Sequence, residues 1–596
     1  RSARLRFQTQ SGHVLDMLLS LETVTTRGAR FLTASLGETF YPYSEVLKRI
    51  KTAAATLQAH GVKKGDRVAI ILPTSIYFFD AFLGAQLAGG IPTALYPPFR
   101  LGKLDEYFAR LREMLDRIGA RFLITDSRIK SLLGQASTVQ SLTAVFDVKD
   151  LFERTKSTAA DWREIDVDED EPVFLQFSSG TTLRPKAVQV SHVNLIENLK
   201  MMGNTLDAVY RDGSEGDRGC VTWLPLYHDM GLVGCLYVGL SYPATITYLG
   251  PEMFIGQPAI WLQAISKYNA IISPAPNFAY GLCLQKVKDS EMEGVDLSGW
   301  QLALNGAEAI DIDTINRFAE RFARWGFQRK AITPVYGLAE AGLGVTFPRL
   351  EREPVFTEFD RESLAGEGRA VPGVGRKLPS VGKPLPGLSV EVRDPEGKPV
   401  PEGWVGRIYI NGPSITKGYY NDPEMTADIL DADGWLNTGD LGFFFEGNLY
   451  IAGRAKDLII LRGRNYAPQE FEDPIYELEG IRLGCAAAVG TMIEGQGEQL
   501  IILAEKDSRS DLADEAIAAE IKKRLLAKAG IEPYHVEMLA PGTLPRTSSG
   551  KLRRSEALNQ FLAGELTPPE KVTTLRMLKE VAKSQVAWMR FGLTKK

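Results

Sequence analysis

Residues 178–187 run Ser-Ser-Gly-Thr-Thr-Leu-Arg-Pro-Lys-Ala. Ser178, Ser179, Thr181 and Thr182 can donate hydrogen bonds to phosphate oxygens. Gly180 lets the backbone close on an anion and aim N–H groups at it. Arg184 and Lys186 add positive charge. Such a loop suits a polyphosphate. The apolar run Pro172–Phe177 reads as a strand entering it, and Val188–His192 as a strand leaving it. No Gly-Lys-Ser/Thr closes the loop and no helix is expected to start there, so it is not a P-loop. A polar hairpin loop without a ligand is the plain alternative.

Further motifs follow in a fixed order. They are Leu224-Pro-Leu-Tyr-His-Asp-Met-Gly-Leu232, Asn305-Gly-Ala-Glu308 and Tyr336-Gly-Leu-Ala-Glu340, then Asn437-Thr-Gly-Asp440, Gly453-Arg-Ala-Lys-Asp457 and Leu544-Pro-Arg-Thr-Ser-Ser-Gly-Lys-Leu-Arg-Arg554. Together they resemble the adenylate-forming superfamily of acyl-CoA synthetases, luciferases and peptide-synthetase adenylation domains. The resemblance runs from about Phe40 to Arg554.

That resemblance implies attack of a carboxylate on the α-phosphate of ATP, with loss of pyrophosphate. Two anions must meet, so the site has to neutralise charge and hold the reactants in line. By the same resemblance, Ser178, Ser179, Gly180, Thr181, Thr182 and Lys186 cradle the β- and γ-phosphates. Glu340 binds Mg²⁺ with Thr181 nearby, since carboxylates and substrate phosphates are the usual ligands of this ion. Asn305, Gly306, Ala307, Tyr336 and Gly337 frame adenine, with Tyr336 stacking. Asp440 accepts from both ribose hydroxyls and Arg454 supports it. Lys551 bridges carboxylate and phosphate, and Lys456 is the hinge position. His228 lines the acyl site, where a packed core histidine is the rival reading. The plain alternatives are a helix-capping acid for Glu340, a turn residue for Asp440, and surface cations for Arg454 and Lys551.

Several stretches resemble fatty acyl-AMP ligases in particular. These are Tyr96-Pro-Pro-Phe, Arg110-Leu-Arg, Arg121-Phe-Leu-Ile-Thr-Asp, the segment of about Glu351–Gly375, and Gly412–Tyr420. The 351–375 segment resembles an insertion proposed to lodge against the mobile domain and hinder reaction with coenzyme A. The resemblance implies a fatty acid substrate and an acyl carrier protein whose phosphopantetheine thiol takes the acyl group. Phe278–Gly281 and Val233–Leu240 are candidates for the acyl tunnel. Leu183 and Ala187 stand where the superfamily usually has Gly. Three alternatives stay open: a fatty acyl-CoA synthetase, a catalytically decayed adenylate-binding protein, and an amino-acid-activating domain that would use Asp229.

The elements that must position these residues follow from periodicity. Helical patterns at Tyr43–His60, Tyr77–Leu87 and Leu104–Ile118 alternate with strands at Asp66–Leu72, Ile91–Leu95 and Arg121–Thr125. Such alternation predicts parallel sheets covered by helices. Strands at Gly219–Leu224, Ala270–Ser273, Leu302–Asn305 and Ala331–Tyr336 end at or near motifs, and ligands of open α/β sheets sit at strand carboxyl ends. After about Val381, Gly- and Pro-rich short strands predict a small β subdomain. The expected organisation is an N-terminal α/β domain over 1–455, with the insertion at 351–375 and the β subdomain at 381–455. A mobile α/β domain over 456–596 carries the lysine. The tail Pro568–Lys596 reads as a solvated terminal helix.

Composition excludes several classes. The chain has 596 residues, enough for several domains, and a net charge of −5, so no basic field invites nucleic acid. Its four cysteines and five histidines lack metal spacing and fit isolated thiols in a reducing compartment. No apolar stretch is long enough to span a bilayer. The expected location is cytoplasmic.

Overall fold

The structure, a computed structural model, describes residues 12–587 except 34–36, 99–102, 155, 179–183, 211–218, 351, 477, 494–495, 548–549 and 570–579; at 135–137 and 207–210 it describes the backbone only. Ser179, Gly180, Thr181 and Thr182 therefore lie outside the described residues.

The first sheet is built from βα repeats. Its strands lie in the order Ala144–Asp147, Phe122–Thr125, Arg67–Ile71, Ile91–Ala94, Pro172–Phe177, Ala187–Ser191. All neighbours are parallel except the last pair. Phe122–Thr125 and Ile91–Ala94 are buried throughout, as expected of parallel strands covered on both faces. Helix Leu104–Ile118 shows why the covering forms. Leu104, Phe108, Leu111, Leu115 and Ile118 recur at helical spacing and are buried, and Gly119 stops the helix in the left-handed conformation at φ 57°.

A second sheet orders Glu38–Pro42, Gly28–Leu32, Ile246–Tyr248 and Cys220–Thr222. Single bridges from Cys220 to Ile272 and from Ile272 to Leu302 extend it toward the parallel pair Ala303–Asn305 and Ile332–Pro334. The expected strand at Ala270–Ser273 is thus reduced to bridges. Between the two sheets lies one continuous apolar core, in which Phe79, Phe82, Trp261 and Tyr248 are fully buried. Burying each such side chain stabilises the fold by about 2–3 kcal/mol.

An antiparallel sheet runs from Tyr336–Gly337 and Gly344–Phe347 through Gly375–Pro384, Asn448–Arg454, Leu436–Phe445 and Gly406–Asn411 to Ser389–Arg393. It begins well before Val381, because the turn after Tyr336 already pairs back as a hairpin. Phe356–Asp360 adds to Gly375–Pro384, so the 351–375 segment enters the structure as a strand and not as a bare loop.

Beyond Arg454 come the hairpin Ile459–Leu461/Arg464–Tyr466 and a sheet of Ile481–Ile493, Gly497–Lys506 and His535–Leu539. Helices Asp514–Ala529 and Arg554–Leu562 accompany them. This part has apolar clusters of its own. Ala365, from the 351–375 segment, is buried in one of them with Ile459 and Leu461. Arg361 donates to the carbonyl of Lys528, and Glu362 pairs with Arg464 at 3.4 Å.

Of the expected solvated terminal helix, residues 580–587 are described; they are helical and largely exposed, but Ser584 is 3% exposed. Its Oγ accepts from Gly134 N at 2.7 Å, and Val581 packs on the apolar cluster that contains Leu132 and Leu133. A Cβ on Gly134 would stand 2.2 Å from the Cα of Ser584, so only glycine permits this approach. Contact decides the segment's place, and its low hydrophobicity gave no sign of that.

Candidate active site

The carboxyl ends of the parallel strands, the antiparallel sheet and the part beyond Arg454 enclose a cavity of about 1640 Å³. Ser178, Lys186, His228, Glu340, Asp440 and Lys551 all line it. So do Gly306, Ala307, Tyr336, Gly337, Arg454 and Lys456. Asn305 does not. It is fully buried behind the wall, its Nδ2 donating to Asn277 Oδ1 at 3.3 Å.

Asp440 is placed by its own motif. Gly439 N donates to Asn437 Oδ1 at 3.0 Å and Asp440 N donates to Thr438 Oγ1 at 3.1 Å, side-chain turns that Asn and Thr make readily. Across the ladder Asp440 lies opposite Arg454. Arg454 Nε donates to Oδ1 at 3.0 Å, and Tyr336 OH donates to Oδ2 at 2.8 Å. The charge of Asp440 raises the Arg454 guanidinium further still, against the opposing effect of burial. Tyr336, expected as a stacking ring, presents its hydroxyl to Asp440. The neighbouring Gly337 is required here, since a Cβ would sit 2.0 Å from the Leu343 carbonyl oxygen that accepts from Leu338 N at 2.9 Å.

Glu340 and Lys186 form the next group. Tyr419 OH donates to Glu340 Oε1 at 2.9 Å, and Lys186 Nζ lies 5.1 Å from the Tyr419 ring centroid. Burial pushes Lys186 below the usual lysine value, and Glu340 pulls it back up. Ser178 N donates to the Lys186 carbonyl at 3.0 Å, closing the strand ends around the loop between them. Among the described residues Glu340 Oε2 makes no hydrogen bond, so the donor set fits a hard divalent cation with one carboxylate oxygen turned to it.

His228 and Asp229 adjoin. Their Nδ1 and Oδ1 atoms are 2.7 Å apart, and Met230 N donates to the same Asp229 oxygen at 2.7 Å. Burial alone would raise Asp229, but His228 and Lys551 hold it down at about 2. Sequence reasoning weighed Asp229 only as an amine acceptor; the His-Asp dipeptide was the available signal.

Lys551 ends a tight turn. Thr547 N donates to the Lys551 carbonyl at 2.8 Å, and Lys551 N donates to Thr547 Oγ1 at 3.0 Å. Three residues on, Arg554 grips Glu472 through two bonds of 2.6 Å, a bidentate clamp on a buried carboxylate. Glu505, fully buried, accepts from Gly542 N at 2.8 Å and Leu544 N at 2.9 Å, fixing the approach to the turn. Burial lowers the Lys551 ammonium, Arg454 adds to that, and Asp229, Glu308 and Asp440 oppose it.

Beyond these groups the wall turns apolar. Met202 and Leu206 come from helix His192–Tyr210, Gly234 and Val238 from the helical turns after His228, Leu343 from the connection before strand Gly344–Phe347, and Phe347 from that strand. Residues Leu232–Tyr237 form a π-helical turn, a widening often found at functional sites. Of the tunnel candidate Phe278–Gly281, Phe278 and Gly281 line the cavity, while Ala279 and Tyr280 belong to the core.

The cavity thus joins two carboxylates, a lysine and an apolar arm. The comparisons give the family. The AMP-binding enzyme family matches residues 24–420, and the chain belongs to it. A putative acyl-CoA synthetase of Caulobacter vibrioides is 34% identical over 532 residues, covering 88% of this chain and 90% of that one. The long-chain-fatty-acid–AMP ligase FadD26 of Mycobacterium bovis is 34% identical over 551 residues, covering 87% and 91%. A solved structure from work on fatty acyl-adenylate ligases of E. coli and L. pneumophila matches with a TM-score of 0.85 and 33% identity, covering 94% of this chain and 99% of that one. No helix among the described residues is long and apolar enough to cross a membrane.

Proposed function

We propose that this protein is a fatty acyl-AMP ligase. A fatty acid carboxylate oxygen attacks the α-phosphorus of ATP, the bond to the β-phosphate oxygen breaks, and pyrophosphate leaves. No proton need be removed, since the carboxylate is already ionised near neutral pH. One observation carries this reading: Lys551, from the part beyond Arg454, lines one cavity with Glu340, Asp440 and an apolar arm.

Asp440 takes the ribose hydroxyls, exchanging for them its bond from Tyr336. Gly306, Ala307 and Tyr336 border the base. Lys186 and the 178–187 loop hold the outer phosphates. Lys551 meets the charge that builds between carboxylate and α-phosphate. Glu340 would hold Mg²⁺, which supplies charge neutralisation on the phosphates. The acyl chain lies between Met202, Leu206, Val238 and Phe347.

In a second step the phosphopantetheine thiol of an acyl carrier protein attacks the acyl carbon, its proton passes to solvent, and AMP leaves. Residues from about 456 on act as a separate unit that turns near Lys456 between the steps. Two observations support the carrier over coenzyme A: the burial of Ala365 in the second unit and the relatives named as AMP ligases.

The test offers fatty acids of several lengths with ATP·Mg, coenzyme A and a phosphopantetheinylated carrier, and identifies products by mass spectrometry. Acyl-adenylate and acyl-carrier are expected. Predominant acyl-coenzyme A would favour the synthetase reading, and no pyrophosphate release with any acid would overturn the proposal.

A further inference from the structure

We propose that Arg554 is a positioning residue for adenylate formation: by holding Glu472 and Asp457 on one guanidinium, it ties the turn that ends at Lys551 to the first residue after Lys456. The inference rests on the fatty acyl-AMP ligase reading for the step it serves, but not for its geometry.

Arg554 opens helix Arg554–Leu562, three residues after Lys551. Its Nε and Nη2 donate to the two oxygens of Glu472 at 2.6 Å each, and its Nη1 forms an ion pair with Asp457 Oδ2 at 3.7 Å. A planar guanidinium can face two acids at once, where a single ammonium cannot offer the same fork. Glu472 is a firm anchor. It is buried, and its Oε1 also accepts from Ala488 N at 3.0 Å, in strand Ile481–Ile493. The turn before Arg554 is stiff as well. Thr547 N donates to the Lys551 carbonyl at 2.8 Å, Arg553 N to that of Pro545 at 3.0 Å, and Arg546 Nη1 to that of Gly550 at 2.6 Å. A shift at Arg554 therefore carries through to Lys551.

Asp457 shows what the second arm of the fork is for. Its side chain is 7% exposed, and among the described residues its buried Oδ1 makes no hydrogen bond. A carboxylate so placed depends on the cation beside it. On the other side of Lys456 the chain is fixed to the antiparallel sheet: Ala455 N donates to the Gly439 carbonyl at 3.0 Å, and Arg454 Nε donates to Asp440 at 3.0 Å. Lys456 thus stands between two secured ends. One is bound to the strand of Asp440, and the other reaches the lysine turn through Asp457 and Arg554. The Arg554 charge is already balanced by two acids, so this residue acts through Lys551 and does not touch the reacting atoms.

Arg554→Lys keeps the charge and loses the fork. It is expected to lower kcat for pyrophosphate release with a fatty acid about tenfold through misplacement of the lysine, and to leave KM for ATP unchanged. Asp457→Asn leaves both bonds to Glu472 in place and is expected to lower kcat by a smaller factor, about threefold. In a Lys551→Ala background neither substitution is expected to reduce the residual rate further, because both act through that lysine. A merely structural role would cost the same factor in either background.

An independent readout is hydrogen–deuterium exchange in the full-length protein without substrates, followed by peptide mass spectrometry. Arg554→Lys is expected to speed exchange in peptides spanning the turn from Thr547 to Arg553, while strand Gly497–Lys506 exchanges at the wild-type rate. Should thermal melting show Arg554→Lys unfolded, Asp457→Asn carries both measurements. Wild-type pyrophosphate release in both variants would overturn the inference. So would an undiminished loss in the Lys551→Ala background, or exchange that rises equally in the strand and the turn. Failure of the wild-type protein to release pyrophosphate with any fatty acid would sink the functional reading, while the exchange comparison would still decide whether Arg554 holds the turn.

Discussion

Tyr336 OH donates to Oδ2 of Asp440 at 2.8 Å, so the carboxylate expected to receive a ribose is held ready by a phenol until one comes. Arg454 occupies the other oxygen. Both oxygens are thus satisfied in a site where an unpaired buried acceptor would cost more than its bond returns.

Tyr336→Phe removes one hydrogen bond and leaves the ring. KM for ATP is expected to change severalfold, consistent with about 1 kcal/mol for a neutral donor. Asp440→Ala removes the acceptor altogether and is expected to raise that KM more than tenfold. ATP titrations of pyrophosphate release check both, and equal effects of the two variants would refute the assigned order.

Lys551→Ala is expected to reduce acyl-adenylate formation by about 10²–10³-fold, the usual cost of deleting one preorganised charge stabiliser. ATP binding, measured by calorimetry, should persist, because the ribose and outer-phosphate contacts come from other elements. Wild-type pyrophosphate release by this variant would rule the role out.

Most of the parallel architecture was legible in sequence. Pro172–Phe177 and Leu104–Ile118 have the expected ends, because an apolar run entering a polar loop and a helical stripe closed by Gly119 are local patterns. The cavity's members were legible as motifs. Their mutual arrangement was not: no local pattern tells that Tyr336 reaches Asp440. Asn305 stands next to the lining residues Gly306 and Ala307 yet turns inward, which the backbone alone decides, with Ala307 at φ 69°. The seating of Ala365 among Ile459 and Leu461 was expected only from resemblance, because a lone alanine carries no signal of its own.

Glu340→Gln keeps a partner for Tyr419 but weakens the carboxylate's hold on a cation. The Mg²⁺ concentration giving half-maximal pyrophosphate release is expected to rise at least about tenfold, since charge dominates the binding of hard cations. An unchanged Mg²⁺ requirement would remove Glu340 from the metal's ligands.

Acid should destabilise the fold through His192. Burial, reinforced by His13, pushes this imidazole down to about 4 from 6.5, and Val14 N donates to its Nδ1 at 3.2 Å. The unfolded chain therefore takes up the proton first. Stability is full above about pH 6.5 and falls as pH drops toward 4, by about 2–3 kcal/mol from this group. Chemical denaturation at several pH values checks the slope, which His192→Gln is expected to flatten.

Ala365→Asp places a charge against Ile459 and Leu461, and breaking that seat is expected to loosen the part beyond Arg454. Limited proteolysis near 454–457 should quicken, and acyl transfer to coenzyme A should rise relative to transfer to the carrier. Unaltered cleavage would show that the segment does not restrain its neighbour.

The docking of Ser584 against Gly134 gives the polypeptide a second crossing. The part that delivers Lys551 is joined to the rest at its start, near residue 456, and again by the helix at 580–587. Should that part turn near Lys456 as proposed, it would be less a flap than a drawbridge chained at its far edge. The seat of Ser584 would set how far the bridge can be lowered, and a cut between Leu566 and Pro569 would free its travel without touching a group proposed to meet substrate.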